Sequence, residues 1–201
     1  MFTEEDKQSL ILQLHDLGAV QFGNFTMASG LQSPIYIDLR RMIARPSLLK
    51  LVARAYAELL EPLNFDHLAA VPYGALAIGT AVSLLIERPF IFPRKEAKTH
   101  GTGQIIEGLF DPGDKVVIIE DLVTKGGSAL KAVKTLEEAG LLITDIVVTI
   151  DRGQGGRQII EAAGYHLHAV LTMAEVLQIL ARVGKISGEQ VTAVNAYLAT
   201  T

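Results

Sequence analysis

The segment Lys115–Lys131, KVVIIEDLVTKGGSALK, carries the residues best suited to chemistry. Its apolar run predicts a buried strand that ends at the acidic pair Glu120 and Asp121, followed by a glycine-rich turn and an amphipathic helix. The N–H groups of such a turn and of a helix N-terminus can donate to phosphate oxygens, and the helix dipole adds up to ~1–2 kcal/mol. Two adjacent carboxylates can accept hydrogen bonds from the hydroxyls of a ribose. This order of groups predicts a site for ribose 5-phosphate.

The turn itself supplies most of the predicted phosphate donors. Thr124 and Ser128 add hydroxyl groups to its backbone N–H groups. The strand end and turn together comprise Glu120, Asp121, Leu122, Val123, Thr124, Lys125, Gly126, Gly127 and Ser128. No GK[ST] sequence and no GxGxxG sequence is present here, so the segment differs from nucleoside triphosphate and dinucleotide loops. A purely structural strand end and turn is the alternative interpretation.

Strands and helices must alternate around this segment to position it. Apolar runs predict strands at His67–Pro72, Pro89–Pro93, Lys115–Asp121, Ile143–Asp151 and His166–Thr172. Helical periodicity predicts helices at Ser47–Leu60, Ala75–Glu87, Gly127–Ala139 and Gly156–Ala163. The alternation is typical of an α/β fold with a mainly parallel, Rossmann-like sheet flanked by helices. Ligands of such sheets bind at the carboxyl ends of the strands.

The flanking segments are predicted to form a small hood over that edge of the sheet. They comprise a helix at Glu4–Leu17, an extended segment at Gln21–Arg41, and helices at Met173–Val183 and Ser187–Leu198. We expect one domain spanning 1–201, with the hood at about 1–45 plus the C-terminal helices and a core at about 46–172. Without low-complexity tracts or repeats, nothing in the sequence indicates a second domain.

The composition excludes several classes of protein. The 201 residues contain no cysteine, which excludes disulfides, thiolate metal sites and thiol catalysis and favours a cytoplasmic location. A net charge of −4, from 18 basic and 22 acidic residues, argues against broad nucleic-acid binding. The mean hydropathy of +0.32 reflects buried strands and helices rather than a membrane span. Any anion must therefore be bound locally.

Several ordered motifs resemble one enzyme family. The Glu120–Ser128 segment resembles the phosphoribosyl diphosphate (PRPP) motif of type I phosphoribosyltransferases. Within that superfamily, three further stretches are similar to orotate phosphoribosyltransferases, and most closely to the N-terminal half of bifunctional UMP synthases. These stretches are FTMASGLQSPIYIDLRR (Phe25–Arg41), RKEAKTHGTGQIIEG (Arg94–Gly108) and DRGQGG (Asp151–Gly156), and VPYGAL (Val71–Leu76) adds to the likeness. The likeness runs from about Phe22 to Val183.

The resemblance implies a type I phosphoribosyltransferase fold and a defined reaction. The 5-phosphoribosyl group of PRPP would pass to orotate, giving orotidine 5′-monophosphate and pyrophosphate in pyrimidine biosynthesis. Mg²⁺ is the implied cofactor, held mainly by substrate oxygens and water rather than by a protein metal site. The implied partners are a second copy of the chain and, in some settings, an orotidine 5′-monophosphate decarboxylase. No nucleic-acid or membrane partner is implied.

The Arg94–Gly108 segment corresponds to the mobile catalytic loop of the family. Four of its side chains can donate hydrogen bonds to the departing pyrophosphate, and such charge-assisted bonds contribute ~1.5–3 kcal/mol each. They are Arg94, Lys95, Lys98 and His100. In the relatives this loop reaches into the neighbouring subunit, so Arg94, Lys98 and His100 would act across a dimer, while Lys95 would serve its own chain.

The remaining implied contacts concern pyrophosphate and the base. Tyr73 and Gly74 would offer backbone donors to pyrophosphate. Arg152 would bind the orotate carboxylate, unless it is a surface arginine paired with Asp151. Tyr36, Ile37 and Thr124 would surround the base, although the first two could also be ordinary core residues. Asp121 is a conceivable catalytic base, but its ribose role is better supported.

Some residues depart from the family pattern or admit other interpretations. Gly74 stands where one branch of the family carries a lysine, and Ala28 takes the place of a lysine that is common in the LKSG form of the motif. His166 and His168 share a strand face, but two histidines without a third ligand rarely form a metal site. A phosphoribosyltransferase for another base and a PRPP-binding regulator that retains the fold are the alternatives. The chain contains no Asp-x-Lys-x-x-Asp decarboxylase signature.

Overall fold

A computed structural model describes residues 2–27, 30–94 and 105–200 of the chain. The helices are α1 (Glu4–Asp16), α2 (Pro46–Leu60), α3 (Leu76–Ile86), α4 (Gly127–Glu137), α5 (Gly156–Ala162), α6 (Met173–Arg182) and α7 (Gly188–Thr200). The strands are β1 (Val20–Thr26), β2 (Gln32–Ile37), β3 (His67–Ala70), β4 (Phe90–Pro93), β5 (Ile106–Glu107), β6 (Lys115–Val123), β7 (Leu142–Asp151) and β8 (His166–Thr172). A short 3₁₀ helix occupies Leu39–Ala44.

A six-stranded sheet with the order β5-β4-β3-β6-β7-β8 forms the centre of the molecule. All neighbouring pairs are parallel except β4 and β5. Strand β6 lies between β3 and β7, with Ile119 opposite Ala70 and Glu120 opposite Val148. The acidic pair is therefore delivered to the carboxyl edge of a central strand. This arrangement confirms the predicted mainly parallel α/β fold.

Each face of the sheet is covered by its own hydrophobic cluster. One cluster joins α1, α2, α3 and α6 to β6 side chains such as Val117 and Ile119. The other joins α4 and α5 to Val116 and Ile118. Consecutive apolar residues of β6 thus alternate between the two faces, which explains its unbroken apolar sequence.

A smaller layer is built from the two ends of the chain. Strands β1 and β2 form an antiparallel hairpin, with Gln21 opposite Tyr36, and α7 packs against β2. Helix α1 packs against α2 and α6, and a 2.8 Å ion pair between Lys7 and Glu175 joins α1 to α6. These elements correspond to the predicted hood.

Two features differ from the sequence prediction. The segment expected to be extended over Gln21–Arg41 is a hairpin that ends at Ile37. The 3₁₀ helix follows it, and the Asp38 side chain caps that helix by accepting a hydrogen bond from the Arg40 N–H. In addition, Ile106 and Glu107 of the predicted catalytic loop form β5 by pairing with β4. Sequence periodicity cannot detect a two-residue strand.

No helix in the described ranges is long and apolar enough to cross a membrane.

Candidate active site

The acidic pair lies near the carboxyl end of β6, which continues two residues beyond its predicted end, to Val123. Glu120 is only 6% exposed, and Asp121 is half-buried. Burial, with the neighbouring charge of Asp121, raises the pKa of Glu120 to about 8. Burial also raises the pKa of Asp121, although backbone N–H groups and the Arg40 guanidinium act in the opposite direction. Such poorly hydrated carboxylates are suited to accept hydrogen bonds from ligand hydroxyls.

The turn after β6 leads directly into α4, as the sequence predicts. Thr124, Lys125 and Gly126 form the turn, and α4 begins at Gly127 without a side-chain cap. The space beside Gly127 is open, since a Cβ there would meet no atom within 4 Å. The first N–H groups of a helix have no intrahelical partner. The N-terminus of α4, including Ser128, is therefore suited to receive a phosphate group.

The DRGQGG segment packs directly against this turn. A Cβ on Gly156 would lie 2.4 Å from the Thr124 carbonyl oxygen, so only glycine permits this approach. The Arg152 backbone N–H also donates to the Val123 carbonyl oxygen at 3.0 Å. Thr124 thus lies between the predicted phosphate turn and the segment that carries Arg152. Its contacts to the two substrates stay predictions.

Arg152 is a buried cation with unused hydrogen-bonding capacity. Its side chain is 6% exposed, and within the described part of the chain its Nε and Nη2 atoms have no hydrogen-bond partner. Burial lowers the pKa of the guanidinium, while the nearby Tyr197 side chain raises it. The Tyr197 ring of α7 lies 5.8 Å from the guanidinium carbon, a cation–π distance. A buried, incompletely paired guanidinium strongly favours an anionic ligand.

Asp151 is not the partner of Arg152. Its carboxylate accepts from the Gly153 N–H at 3.0 Å and from Arg157 Nε at 3.1 Å. The alternative of an Arg152–Asp151 surface pair is therefore wrong. A pocket of about 350 Å³ opens beside Arg152. Asp151, Gly153, Thr172, Met173 and α7 residues also line it.

The predicted pyrophosphate turn contacts the acidic pair. Gly74 follows β3 closely, and a Cβ at this position would lie 2.1 Å from Asp121 Oδ2. The side chain of Tyr73 is 67% exposed. Because glycine is required for this approach, a lysine at position 74 would not fit without displacing Asp121 or the turn. Glycine at position 74 thus has a local steric reason.

The hairpin presents Tyr36 and Ile37 from β2. The Tyr36 ring packs against Phe25 with ring centroids 5.6 Å apart. Ile37 packs against the hydrophobic cluster that joins α1, α2, α3 and α6 to β6. Both are half-buried, so structural roles are evident for both. Their predicted contact with a base remains a prediction. Helix α7, which carries Tyr197, packs against β2 and so connects this hairpin to Arg152.

Sequence reasoning missed the pair formed by Asp38 and Arg40. Arg40 Nε donates to Asp38 Oδ1 at 2.7 Å. The charge of Arg40 lowers the pKa of Asp121, whereas the charge of Asp38 raises it. The 3₁₀ helix after the hairpin therefore supplies a cation on the acidic side of the site. The only signal in the sequence was the position of these residues within SPIYIDLRR.

The predicted catalytic loop is described only at its two ends. Arg94 Nη1 donates to Glu107 Oε1 at 2.6 Å, so this arginine is ion-paired at the base of the loop. Lys95, Lys98 and His100 lie outside the described residues, as does Ala28. Their roles, and that of Arg94 in a neighbouring subunit, stay predictions.

The two histidines of β8 have separate environments. His168 Nε2 lies 2.7 Å from Asp145 Oδ1, whereas His166 is exposed. Within residues 2–27, 30–94 and 105–200, no group of three or more His, Cys, Asp or Glu side chains could hold a metal ion.

Comparison with known proteins defines the class of this fold and site. Residues 41–163 match the family model of the phosphoribosyl transferase domain. The orotate phosphoribosyltransferase of Pyrococcus furiosus is 40% identical over 174 residues, covering 86% of this chain and 96% of the relative. The chain belongs to the orotate phosphoribosyltransferase family.

Solved structures agree with this assignment. The UMP synthase of Leishmania donovani superposes with a TM-score of 0.88 at 40% identity, over 97% of this chain and 42% of that one. The orotate phosphoribosyltransferase of Mycobacterium tuberculosis H37Rv in complex with PRPP gives a TM-score of 0.72 at 28% identity, over 85% and 98% of the two chains. The chain spans about two fifths of the length of the bifunctional relatives that it matches.

Proposed function

We propose that this chain is a glycosyltransferase that transfers the 5-phosphoribosyl group of PRPP to orotate. The products are orotidine 5′-monophosphate and pyrophosphate, as needed for UMP biosynthesis. The observation that carries the proposal is the proximity of two sites. The acidic pair, in which Glu120 is buried and Asp121 half-buried, and the uncapped N-terminus of α4 adjoin the segment of the buried, incompletely paired Arg152.

The ribose phosphate is assigned to β6 and the turn that follows. Glu120 and Asp121 accept from the ribose hydroxyls, and the Thr124–Ser128 N–H and hydroxyl groups donate to the 5-phosphate. The backbone at Tyr73 and Gly74 donates to the pyrophosphate, which the contact between Gly74 and Asp121 keeps close to the ribose. These groups fix C1 of the ribose relative to the leaving group.

Orotate is assigned to the Arg152 side of the site. A planar guanidinium binds a carboxylate through two parallel hydrogen bonds. Arg152 Nε and Nη2, which have no hydrogen-bond partner among the described residues, provide such donors. Tyr36 and Ile37 would wall the flat ring. Neutral purines and uracil carry no carboxylate, so this site favours orotate over those bases.

Catalysis is assigned to charge stabilisation rather than covalent attack. The bond between C1 and pyrophosphate breaks through an oxocarbenium-like state as the base nitrogen forms the new bond. Arg94, Lys95, Lys98 and His100 would donate to the leaving pyrophosphate once the loop closes. Asp121 remains a candidate base, although its ribose contact is better supported.

Mg²⁺ is part of this proposal as a cofactor of the substrate. The carboxylates of Glu120 and Asp121 and the oxygens of PRPP are the hard donors that Mg²⁺ prefers. We assign it mainly to diphosphate and ribose oxygens and to water. When bound, it neutralises charge that develops on pyrophosphate.

The discriminating experiment measures pyrophosphate release with PRPP, Mg²⁺ and one base at a time. Orotate should support turnover, and adenine, hypoxanthine and uracil should not. Turnover with another base instead would identify a different phosphoribosyltransferase. PRPP binding without turnover on any base would favour a regulator that retains the fold.

The proposed assembly is a homodimer in the cytoplasm, with the catalytic loop shared across subunits. Mixing Lys98→Ala subunits with Arg152→Ala subunits tests this sharing. In a heterodimer one site would combine both intact components, so activity should recover to roughly a quarter to a half of the wild-type level. A verified heterodimer without recovery would contradict loop sharing.

Association with an orotidine 5′-monophosphate decarboxylase is also proposed, on the grounds that bifunctional relatives contain this chain's equivalent within a longer protein. Co-purification of a tagged chain with a decarboxylase at fixed stoichiometry would support it, and independent elution of the two would oppose it.

A further inference from the structure

A buried tyrosine reaches the proposed ribose site from beneath the sheet. Tyr56 lies on α2, and its side chain is 0% exposed. Its hydroxyl donates to the backbone carbonyl oxygen of Glu120 at 2.7 Å. The same hydroxyl lies 2.8 Å from Thr149 Oγ1 on β7. A residue 64 positions earlier in the sequence therefore holds the backbone of the acidic pair.

The direction of these two hydrogen bonds follows from the chemistry of the groups. A carbonyl oxygen can only accept, so the single proton of Tyr56 is used for Glu120. The contact with Thr149 must then have the threonine hydroxyl as donor. The result is a directed chain from Thr149 through Tyr56 to Glu120, in which each bond polarises the next.

The hydrogen bond from Tyr56 reaches β6 just beyond the part of the strand that pairs with β3. Strand β3 pairs with β6 only as far as Ala70 opposite Ile119. Glu120 is the first residue of β6 beyond that ladder, and its carboxylate belongs to the proposed ribose site. Tyr56 thus fixes the backbone of β6 where support from β3 has ended.

The surroundings keep the Tyr56 hydroxyl protonated. Burial raises its pKa well above the ordinary value, and the nearby charges of Asp121 and Glu120 act in the same direction. The hydroxyl therefore remains a hydrogen-bond donor throughout the neutral pH range.

We propose that Tyr56, supported by Thr149, is a positioning residue for PRPP that holds the Glu120 and Asp121 carboxylates where the ribose hydroxyls bind. This inference rests on the proposed function of the same site. Tyr56 touches no substrate in this proposal; it acts through the Glu120 backbone.

The principal test is Tyr56→Phe, which keeps the ring and removes the hydroxyl. Loss of a buried hydrogen bond should raise the KM for PRPP roughly five- to twentyfold. The KM for orotate should change less than about twofold, because Arg152 is untouched. Restoring the hydroxyl by reversion should restore the KM for PRPP. An unchanged KM for PRPP in a folded Tyr56→Phe protein would overturn the inference.

Two further variants separate positioning from general stability. Thr149→Val removes the second hydroxyl and should raise the KM for PRPP by about two- to fivefold. If Tyr56→Phe fails to fold, the KM of Thr149→Val for PRPP tests the positioning role instead. Ile143→Val is the control, because Ile143 is buried near the opposite end of β7. It should lower the melting temperature and leave the KM for PRPP unchanged; a rise in this control equal to that in Thr149→Val would contradict positioning.

Calorimetric binding of PRPP keeps this inference distinct from the proposed function. If the wild-type chain binds PRPP but does not use orotate, the proposed reaction is wrong while the Tyr56 comparison still applies to the dissociation constant. If it turns over orotate and Tyr56→Phe binds PRPP normally, only the positioning role is wrong.

Discussion

The two halves of the proposed site are constructed in different ways. The ribose-phosphate half comes mainly from one continuous segment, 120–128, in which a strand, a turn and a helix N-terminus follow one another. The base half combines Arg152 after β7, Tyr36 and Ile37 on β2, and Tyr197 on α7. The first half depends on local geometry, whereas the second depends on how distant elements pack.

This difference has a consequence for how each half tolerates substitution. The phosphate half relies on backbone N–H groups, which most side-chain changes leave in place. Arg152 instead supplies a single charged side chain whose burial is sustained by α7. We therefore expect the most severe side-chain effects in the base half and the most severe steric effects where Gly74 meets Asp121.

Arg152→Ala should give the largest effect and would sharpen the comparison. Loss of the carboxylate contact should lower kcat/KM for orotate by roughly 100- to 1000-fold, since truncating one partner of a buried charge pair costs about 2–5 kcal/mol. Binding of PRPP, measured by calorimetry, should change little. Arg182→Ala is the control, because this arginine contacts Gln8 on the outer helices. Equal losses for both substrates would show that the halves are not separable.

Gly74→Ala should have the next largest effect, on the opposite half. The added Cβ would lie 2.1 Å from Asp121 Oδ2 and must displace the carboxylate or the turn. We expect the KM for PRPP to rise by about 10- to 100-fold, in line with a steric cost of ~1–3 kcal/mol. Gly113→Ala is a matched control with respect to space, since a Cβ there meets nothing within 4 Å, although its φ of +95° costs stability. Steady-state kinetics showing a normal KM for PRPP in Gly74→Ala would refute the contact's importance.

Glu120→Gln should have the smallest effect of the three substitutions. In the protein without substrate, it should change the pH dependence of the free energy of unfolding. The raised pKa of about 8 means that the folded chain retains a proton on Glu120 that the unfolded chain releases near pH 4.5. Its contribution to stability is therefore fully present at low pH and is lost as pH rises to about 8, with a slope of about 1.4 kcal/mol per pH unit.

Urea unfolding at pH 5.5 and 8 measures this pH-dependent contribution of Glu120 to the free energy of unfolding. The wild type should lose stability relative to Glu120→Gln between these pH values by on the order of 2–3 kcal/mol, while the variant binds PRPP more weakly at both. An identical stability difference at the two pH values would mean that Glu120 is not protonated in the free folded protein. In that case, burial of the Glu120 carboxyl group would not lower the stability of the folded protein as the pH rises.

The sequence predicted regular elements well and contacts between them poorly. The helices and parallel strands lie close to their predicted positions because apolar periodicity and terminal glycines are local signals. The β1–β2 hairpin and the short strand β5 were missed as such, since both depend on pairing partners rather than on their own composition. The Arg152–Asp151 pair suggested by adjacency is replaced by the pair of Asp151 with Arg157.

The sequence by itself determined the order of the acidic pair, glycine turn and helix, and with it the position of the proposed phosphate site. It also determined the family, through motifs spread from Phe25 to Gly156. Only the tertiary structure decided that Gly74 lies against Asp121, that α7 covers Arg152 and that Tyr56 supports Glu120. Local patterns specify φ, ψ and exposure, whereas these contacts join segments far apart in the chain and exist only after the layers have packed.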